Sequence, residues 1–446
     1  MGIVDIIFTP FYLSILLVIL GYIKRNYIFE VYIKEKLLII FSTKVFGALF
    51  IAFIYEFAFG GGQWDTFNFH DIGTMIIYTF NENIEDFFKL LMLDAGDYSN
   101  KELMHYISGL YSWYFKEDSA FFIGKMSGVI GLFTFNSYTS IAITFSLISF
   151  IGNLAFYKTL IKIFPRYKKE LFVPTFIIPS VIAWGSGLFK DTITFGALGI
   201  LIFSVYQLAI ERKNIIKNII GLTICGILVY RVKDYILIAF LPATLILLIQ
   251  NYKLKIKSNF LRIIITPIII IGSIIILTSY IDTQKKYIES TINTVSNMQE
   301  WHYKVSSKQT SYSLGEYDQS ITGILSKIIP ATNVALFRPY IWEADGFLMT
   351  FASLESHVIF FIFLHLLLTV KIKNIFKIIN ENPVIAFMIA FSLILAFIVG
   401  FTTYNFGSLV RYKIPILPPF LCSIQLIKVE AKRLKEKPLL KDYIYL

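Results

Sequence analysis

LFVPTFIIPSVIAWGSGLFKDTITFGALGILIFSVYQLAI, residues 171–210, decides how the chain is read. Its apolar runs, extended by their flanks, predict membrane spans over about 171–188 and 192–210, each near the ~20 residues that cross a bilayer as a helix. Lys190 and Asp191 then fall where a hydrophobic hairpin turns. Charge at that depth is costly unless wet or paired. Two readings are open. One is a plain loop carrying a local ion pair, and the other is a functional site at the membrane surface. Gly185, Ser186 and Gly187 favour a shaped, re-entrant backbone, which a membrane tolerates only where it is buried in protein or lines a cavity.

The rest of the chain has the same character. Of its 446 residues 56% are apolar, and its mean hydropathy is +0.67. Charged residues make up 16%, against roughly 25% in soluble domains. The expectation is an all-α fold: a polytopic transmembrane helix bundle forming one integral membrane domain over residues 1–446. About eleven spans are predicted, over roughly 3–23, 37–58, 138–157, 171–188, 192–210, 215–230, 235–250, 261–280, 350–370, 384–402 and 413–427. Cys225 and Cys422 fall in spans without metal or redox spacing and read as small apolar fillers. The N-terminal run lacks a basic segment ahead of it, with Lys24 and Arg25 after it instead, so it reads as a first span and not a cleavable signal. No Walker loop, dinucleotide fingerprint or Gly-x-Ser-x-Gly elbow occurs, which argues against an ATP-driven pump and a serine hydrolase.

Lysine and arginine set the orientation. The connections KRNYIFEVYIKEK, KTLIKIFPRYKKE, ERKNIIK, YKLKIKSNFLR, KIKNIFK and the tail KVEAKRLKEKPLLK hold about 25 of the 41 basic residues, as cytoplasmic loops should. The expected topology places the chain in the inner (cytoplasmic) membrane, N-terminus outside and C-terminus in the cytoplasm. The +11 net charge reflects this bias and is no argument for nucleic acid. Two long loops, 59–137 and 281–349, then face outward. The first is acidic, and stretches such as HYISGLYSWYF and AFFIGKMSGVIGLF predict short amphipathic helices along the membrane surface. The second opens with a polar helical stretch, DTQKKYIESTINTVSNMQEWHYK, and then loosens.

Charge gathers at the outer ends of spans, where the rule disfavours basic residues. Asp65 comes after three glycines in GGGQWDTFNFHD, Arg231, Lys233 and Asp234 lie in YRVKDY, and Arg338 and Glu343 lie in LFRPYIWEADG. Glu355 lies in SLES, and Arg411 and Lys413 in NFGSLVRYKIPILP. Arginine forks match phosphate oxygens bidentately, so several cations at one depth suit a phosphate at the lipid–water boundary. A carboxylate beside them suits a general base. Each residue also has a plainer reading: Arg231 as an interfacial snorkeller, Asp65 and the other first-loop acids as solvated carboxylates, and Asp5, Lys44 and Glu56 as members of helix-facing pairs. The histidines show no metal spacing; His70 beside Asp65 and Asp71 is the only weak suggestion of a divalent ion, and no cofactor is expected otherwise.

GGGQWDTFNFHDIG, PSVIAWGSGLFKDTITFGALG, LFRPYIWEADG with its downstream SLES, and NFGSLVRYKIPILP together resemble bacterial envelope-polysaccharide membrane proteins, the broad group of GT-C-type glycosyltransferases and O-antigen or exopolysaccharide polymerases. The resemblance runs from about residue 50 to 420 and lies in order and flavour. It implies Asp65 as catalytic base and Arg231, Arg338 and Arg411 as phosphate contacts. Asp65 stands without a tight Asp-x-Asp or Glu-x-Asp, which leaves the base and any metal dependence open.

The leading expectation is a glycosyltransferase or polymerase using a polyprenyl-phosphate-linked sugar at the outer face. Lys190, Arg231, Arg338 and Arg411 would hold the phosphate, Asp65 or Asp191 would be the base, and Glu343 and Glu355 would orient. Its partners would be membrane lipid, the lipid-linked saccharide and other polysaccharide-assembly proteins. The rivals are a transporter or flippase of a lipid-linked saccharide or other anion, and a non-catalytic subunit of an envelope complex.

Overall fold

The computed structural model describes residues 2–26, 30–62, 64–110, 112–255, 311–318 and 321–442. The span expected at 261–280 and the polar helical stretch at 282–304 lie outside them. The described chain is a multi-pass membrane protein built from helices. It divides into two compact units, Met1–Leu237 and Ile238–Leu446.

The first unit runs α1 (Ile3–Asn26), α2 (Val31–Phe53, extended by a π-turn Ile54–Ala58), α3 (Asp65–Glu82), α4 (Ile84–Met92), α5 (Met104–Ile107), α6 (Ser112–Lys116), α7 (Asp118–Gly131), α8 (Tyr138–Ile163), α9 (Lys168–Phe176), α10 (Pro179–Ala183), α11 (Lys190–Tyr206) and α12 (Ile215–Lys233). The second runs from α13 (Tyr235–Lys255) through α14 (Ile321–Ser326), α15 (Ile328–Phe337), α16 (Phe347–Thr369), α17 (Ile372–Glu381), α18 (Pro383–Thr402) and α19 (Phe406–Tyr412) to α20 (Leu417–Asp442). Eight helices among the described residues are long and apolar enough to cross a membrane. A ninth span forms if α19 and α20, bent by 61° across residues 413–416, cross as one.

The count falls short of the expected eleven at residues 171–188, which do not form one helix. Pro179 divides the segment into α9 and α10, since the residue before it, Ile178, is pushed out of the helical region, while Pro174 is accommodated inside α9. After α10 the chain unwinds, with Gly187 at φ +85°. It still runs antiparallel to α8. Tyr157 donates to the Lys168 carbonyl at one end (2.6 Å), and Gly187 N donates to Ser146 Oγ near the other (2.8 Å). Eleven residues of α8 separate those contacts, about 16 Å of helix.

Alternation therefore survives the break. Asp5 of α1 meets Ser137 at the start of α8, and Thr66 of α3 meets Tyr138. At the opposite end Glu30 meets Lys168, and Lys162 meets Glu211. The basic connections of this unit thus share one end and the acidic first loop occupies the other.

Two devices hold the spans. Asp5 accepts hydrogen bonds from Ser137 Oγ (2.9 Å) and from Thr139 N (3.0 Å) and Oγ1 (3.1 Å), so a carboxylate of α1 caps the start of α8. Glycines let α8 and α11 touch backbone to backbone, as small residues do in membranes. A Cβ on Gly152 would meet the Gly196 carbonyl oxygen at 1.9 Å. The first-loop helices do not lie singly on a surface. α3 and α7 pack together over Phe69, Ile72, Ile76, Phe121 and Ile123, in a core continuous with α8.

Gly152→Ala should therefore destabilise the purified chain by about 1–3 kcal/mol, the usual cost of overpacking. Gly226→Ala, which meets nothing within 4 Å, should leave it unchanged or slightly stabler. Thermal unfolding in detergent checks both, and equal effects would refute the close α8–α11 approach.

Candidate functional site

At the first-loop end of unit one, four helix termini converge. Asp65 opens α3, Lys190 and Asp191 open α11, Arg231 and Lys233 close α12, and Glu117 and Asp118 begin α7. Glu117 is the N-cap of α7, its carboxylate accepting from Ala120 N at 2.6 Å and Ser119 Oγ at 2.5 Å. Asp118 comes next, at the first helical position, where the helix dipole favours negative charge.

These two adjacent carboxylates anchor cations from two different spans. Lys190 Nζ lies 2.5 Å from Glu117 Oε2, and Arg231 Nη2 lies 3.3 Å from Asp118 Oδ1. The Lys190 ammonium also faces the rings of Phe69 (5.8 Å) and Trp113 (6.0 Å), and Arg231 faces Phe122 at 5.7 Å. Asp65 joins the same cluster, because Tyr114 donates to its Oδ1 at 2.7 Å and packs edge-on against Phe69 and Trp113. Trp113 is 52% exposed, so the cluster presents an aromatic surface beside its charges.

Lys190 and Asp191 are thus not a local pair. Asp191 turns inward, fully buried, and forms an ion pair with Lys233, itself 6% exposed. The first-loop acids expected to be solvated include the partners of both Lys190 and Arg231. No pattern in the sequence marks Glu117, beyond its placement three residues ahead of Ala120 as an N-cap.

The second unit places Arg338, Glu343, Glu355 and Arg411. Arg338 leaves α15 and grips Glu343 bidentately, through Nε to Oε2 at 3.0 Å and through Nη2 to Oε1. Glu343 also accepts from Tyr340 N at 2.8 Å. The rings of Tyr312, Tyr340 and Phe406 surround the guanidinium at 5.2–5.7 Å. Behind it Lys413, fully buried, donates to Ser356 Oγ (2.7 Å) and to the Arg338 carbonyl (3.2 Å), tying the α19–α20 bend to the Arg338 backbone. Glu355 precedes Ser356 on α16 and acts electrostatically on Lys413. Arg411 sits in the last turn of α19. Lys413 is the basic residue whose contacts tie this bend to α16 and to Arg338.

His70 bonds the Asn136 carbonyl (3.1 Å), and no group of three or more His, Cys, Asp or Glu gathers among the described residues. Cys225 and Cys422 are buried and unbridged. No family model, no curated protein and no solved structure matches the chain.

Removing one member of the buried pair strands the other charge. Lys233→Met alone should cost about 3–5 kcal/mol, while Lys233→Met with Asp191→Leu should recover most of it. Thermal unfolding of the single and double variants measures this, and an additive double loss would refute the pairing.

Proposed function

We propose that the chain is a membrane glycosyltransferase or polysaccharide polymerase of the envelope-polysaccharide kind, taking a polyprenyl-phosphate-linked sugar at the outer face of the cytoplasmic membrane. In this reading the first-loop end faces outward and the basic end faces the cytoplasm. The observation that carries it is the seating of Lys190 and Arg231, from two spans, on adjacent carboxylates Glu117 and Asp118 beside Asp65.

The chemistry rests on the cluster. Asp65 takes the proton of an acceptor hydroxyl, whose oxygen attacks the anomeric carbon of the donor. The bond from that carbon to the lipid phosphate breaks, and the phosphate leaves with the electron pair. Lys190 and Arg231 stabilise the developing charge, exchanging a carboxylate for a phosphate partner. Asp65 is a better base than Asp191, which is fully buried and committed to Lys233. Trp113 offers a ring face to the apolar side of a sugar, and Glu117 offers an acceptor to its hydroxyls.

A second reading, a transporter or flippase of a lipid-linked saccharide, has its own support. α9 and α10 form a broken membrane element, and such breaks mark substrate and ion sites in transporters. Lys44, in mid-α2, points into this one.

Deleting the gene and sizing the lipid-linked and surface saccharides separates the readings. Single repeats accumulating on lipid mean a polymerase, a repeat lacking one sugar means a transferase, and repeats held at the inner leaflet mean a flippase. Complementation sharpens the result. Asp65→Asn should lose roughly 10²-fold or more of transfer, the scale of general-base catalysis, with the protein still inserted and folded. Unchanged saccharide pools on deletion would end the glycan reading. A deletion fully rescued by Asp65→Asn would favour transport.

A further inference from the structure

A cavity of about 420 Å³ opens in unit one beside Arg231 and is separate in character from the polar cluster. Its floor and sides come from α4, α7 and α12, and two cations and one carboxylate border it: Lys125, Arg231 and Asp94. Phe122, Met126 and Met92 supply apolar wall.

The two cations have fixed seats, Arg231 on Asp118 and Lys125 on backbone. Lys125 Nζ donates to the carbonyls of Leu91 (3.1 Å) and Leu93 (2.5 Å) at the end of α4, where the dipole favours a cation, and it lies over the Phe121 ring at 4.3 Å. Burial, with the like charge of Arg231, pulls its ammonium down to about 8, which keeps it protonated at neutral pH. Arg231 sits at the membrane end of a spanning helix. Asp94 is exposed at the rim.

The approach to the cavity is lipid-like. α4 buries Phe87 and Leu90 but exposes Ile84 (52%), Phe88 (57%) and Met92 (82%), an i, i+4, i+8 stripe ending at the cavity mouth. An uncovered apolar stripe beside a spanning helix suits acyl chains, and methionines adapt to them. The charges at the mouth fit neither a simple anion nor a neutral head. Two cations match a phosphate, and one carboxylate matches an ammonium.

We propose that this cavity binds the headgroup of a zwitterionic aminophospholipid of the phosphatidylethanolamine type, its phosphate on Lys125 and Arg231, its ammonium on Asp94 and its chains along Ile84, Phe88 and Met92. The assignment does not depend on glycosyl transfer. Because Arg231 borders both this cavity and the polar cluster, a bound headgroup fixes the end of α12 that the cluster uses.

The full chain, purified in mild detergent, is titrated with phosphatidylethanolamine or phosphatidylglycerol, and bound lipid is counted by native mass spectrometry. The unaltered chain should prefer phosphatidylethanolamine by about tenfold, one charge-assisted contact. Asp94→Asn, a change at an exposed carboxylate that leaves the fold intact, should erase that preference while phosphatidylglycerol still binds. Lys125→Met should weaken both lipids by about tenfold. Equal binding of the two lipids by the unaltered chain, tighter binding of phosphatidylglycerol, or a preference that survives Asp94→Asn would overturn the proposal, even where Lys125→Met fails to fold.

Discussion

The fold of the first unit depends on one cation placed where a membrane helix breaks. Lys44 extends from the middle of α2 and donates to the carbonyls of Gly185 (2.9 Å) and Val181 (3.3 Å), at the unwound end of α10. Carbonyls without helical partners are costly inside a membrane, where no water can replace the missing donor. A lone ammonium is costly there too. Each satisfies the other. Ser149 adds a donor to the Gly185 carbonyl at 2.7 Å, and the ring of Phe195 lies 5.0 Å from the ammonium. The unwound stretch from Trp184 to Phe189 is thereby held against α2 and α8, and it brings Lys190 and Asp191 to the start of α11.

Two consecutive charges then divide the labour of holding α11. Asp191 turns inward to Lys233 and fixes α11 against α12. Lys190 turns outward to Glu117 and fixes α11 against the first loop. Arg231 on Asp118 repeats that contact one residue on. Two spans, α11 and α12, and the acidic loop are thus joined by charge at one end. Within the bundle α11 is joined to α8 by glycine backbone contacts that carry no charge. The polar end is consequently the part of this unit that a competing anion can rearrange without disturbing the packed interior.

The membrane class, the long spans and, within the first unit, the grouping of basic connections at one end were legible, because apolar run length and lysine bias are properties of composition along the chain. The sequence also marked 184–192 as unusual. The single span at 171–188 was misread because hydropathy counts apolar residues and ignores where prolines interrupt hydrogen bonding. Pro179 is visible in the sequence, but the partner that makes the break tolerable, Lys44, lies 141 residues from Gly185. Lys44 was expected to meet a side chain in a helix-facing pair, whereas it meets backbone, which no residue pattern reveals. Asp5 was more legible in kind, yet its partners are hydroxyls and an amide of α8 and not a cation.

The candidate site divides along the same line. Lys190, Arg231 and Asp65 were identifiable because charge at the end of an apolar run is locally anomalous. Glu117 and Asp118 were not, because an acid in an acidic loop is locally ordinary; only the fold distinguishes them from Asp97, which is partly exposed and accepts from Ser99 N in its own turn. In the second unit Arg338 and Glu343 lie five residues apart, close enough for the sequence to offer both, and their bidentate contact is local. Lys413 lies 57 residues from Ser356, and its burial is set by the bend between α19 and α20. Anomalous charges are therefore found from sequence, and the charges that neutralise them are found only when tertiary structure brings ordinary residues to their side. For the proposed exchange of a carboxylate for a phosphate on Lys190 and Arg231, the second set matters as much as the first.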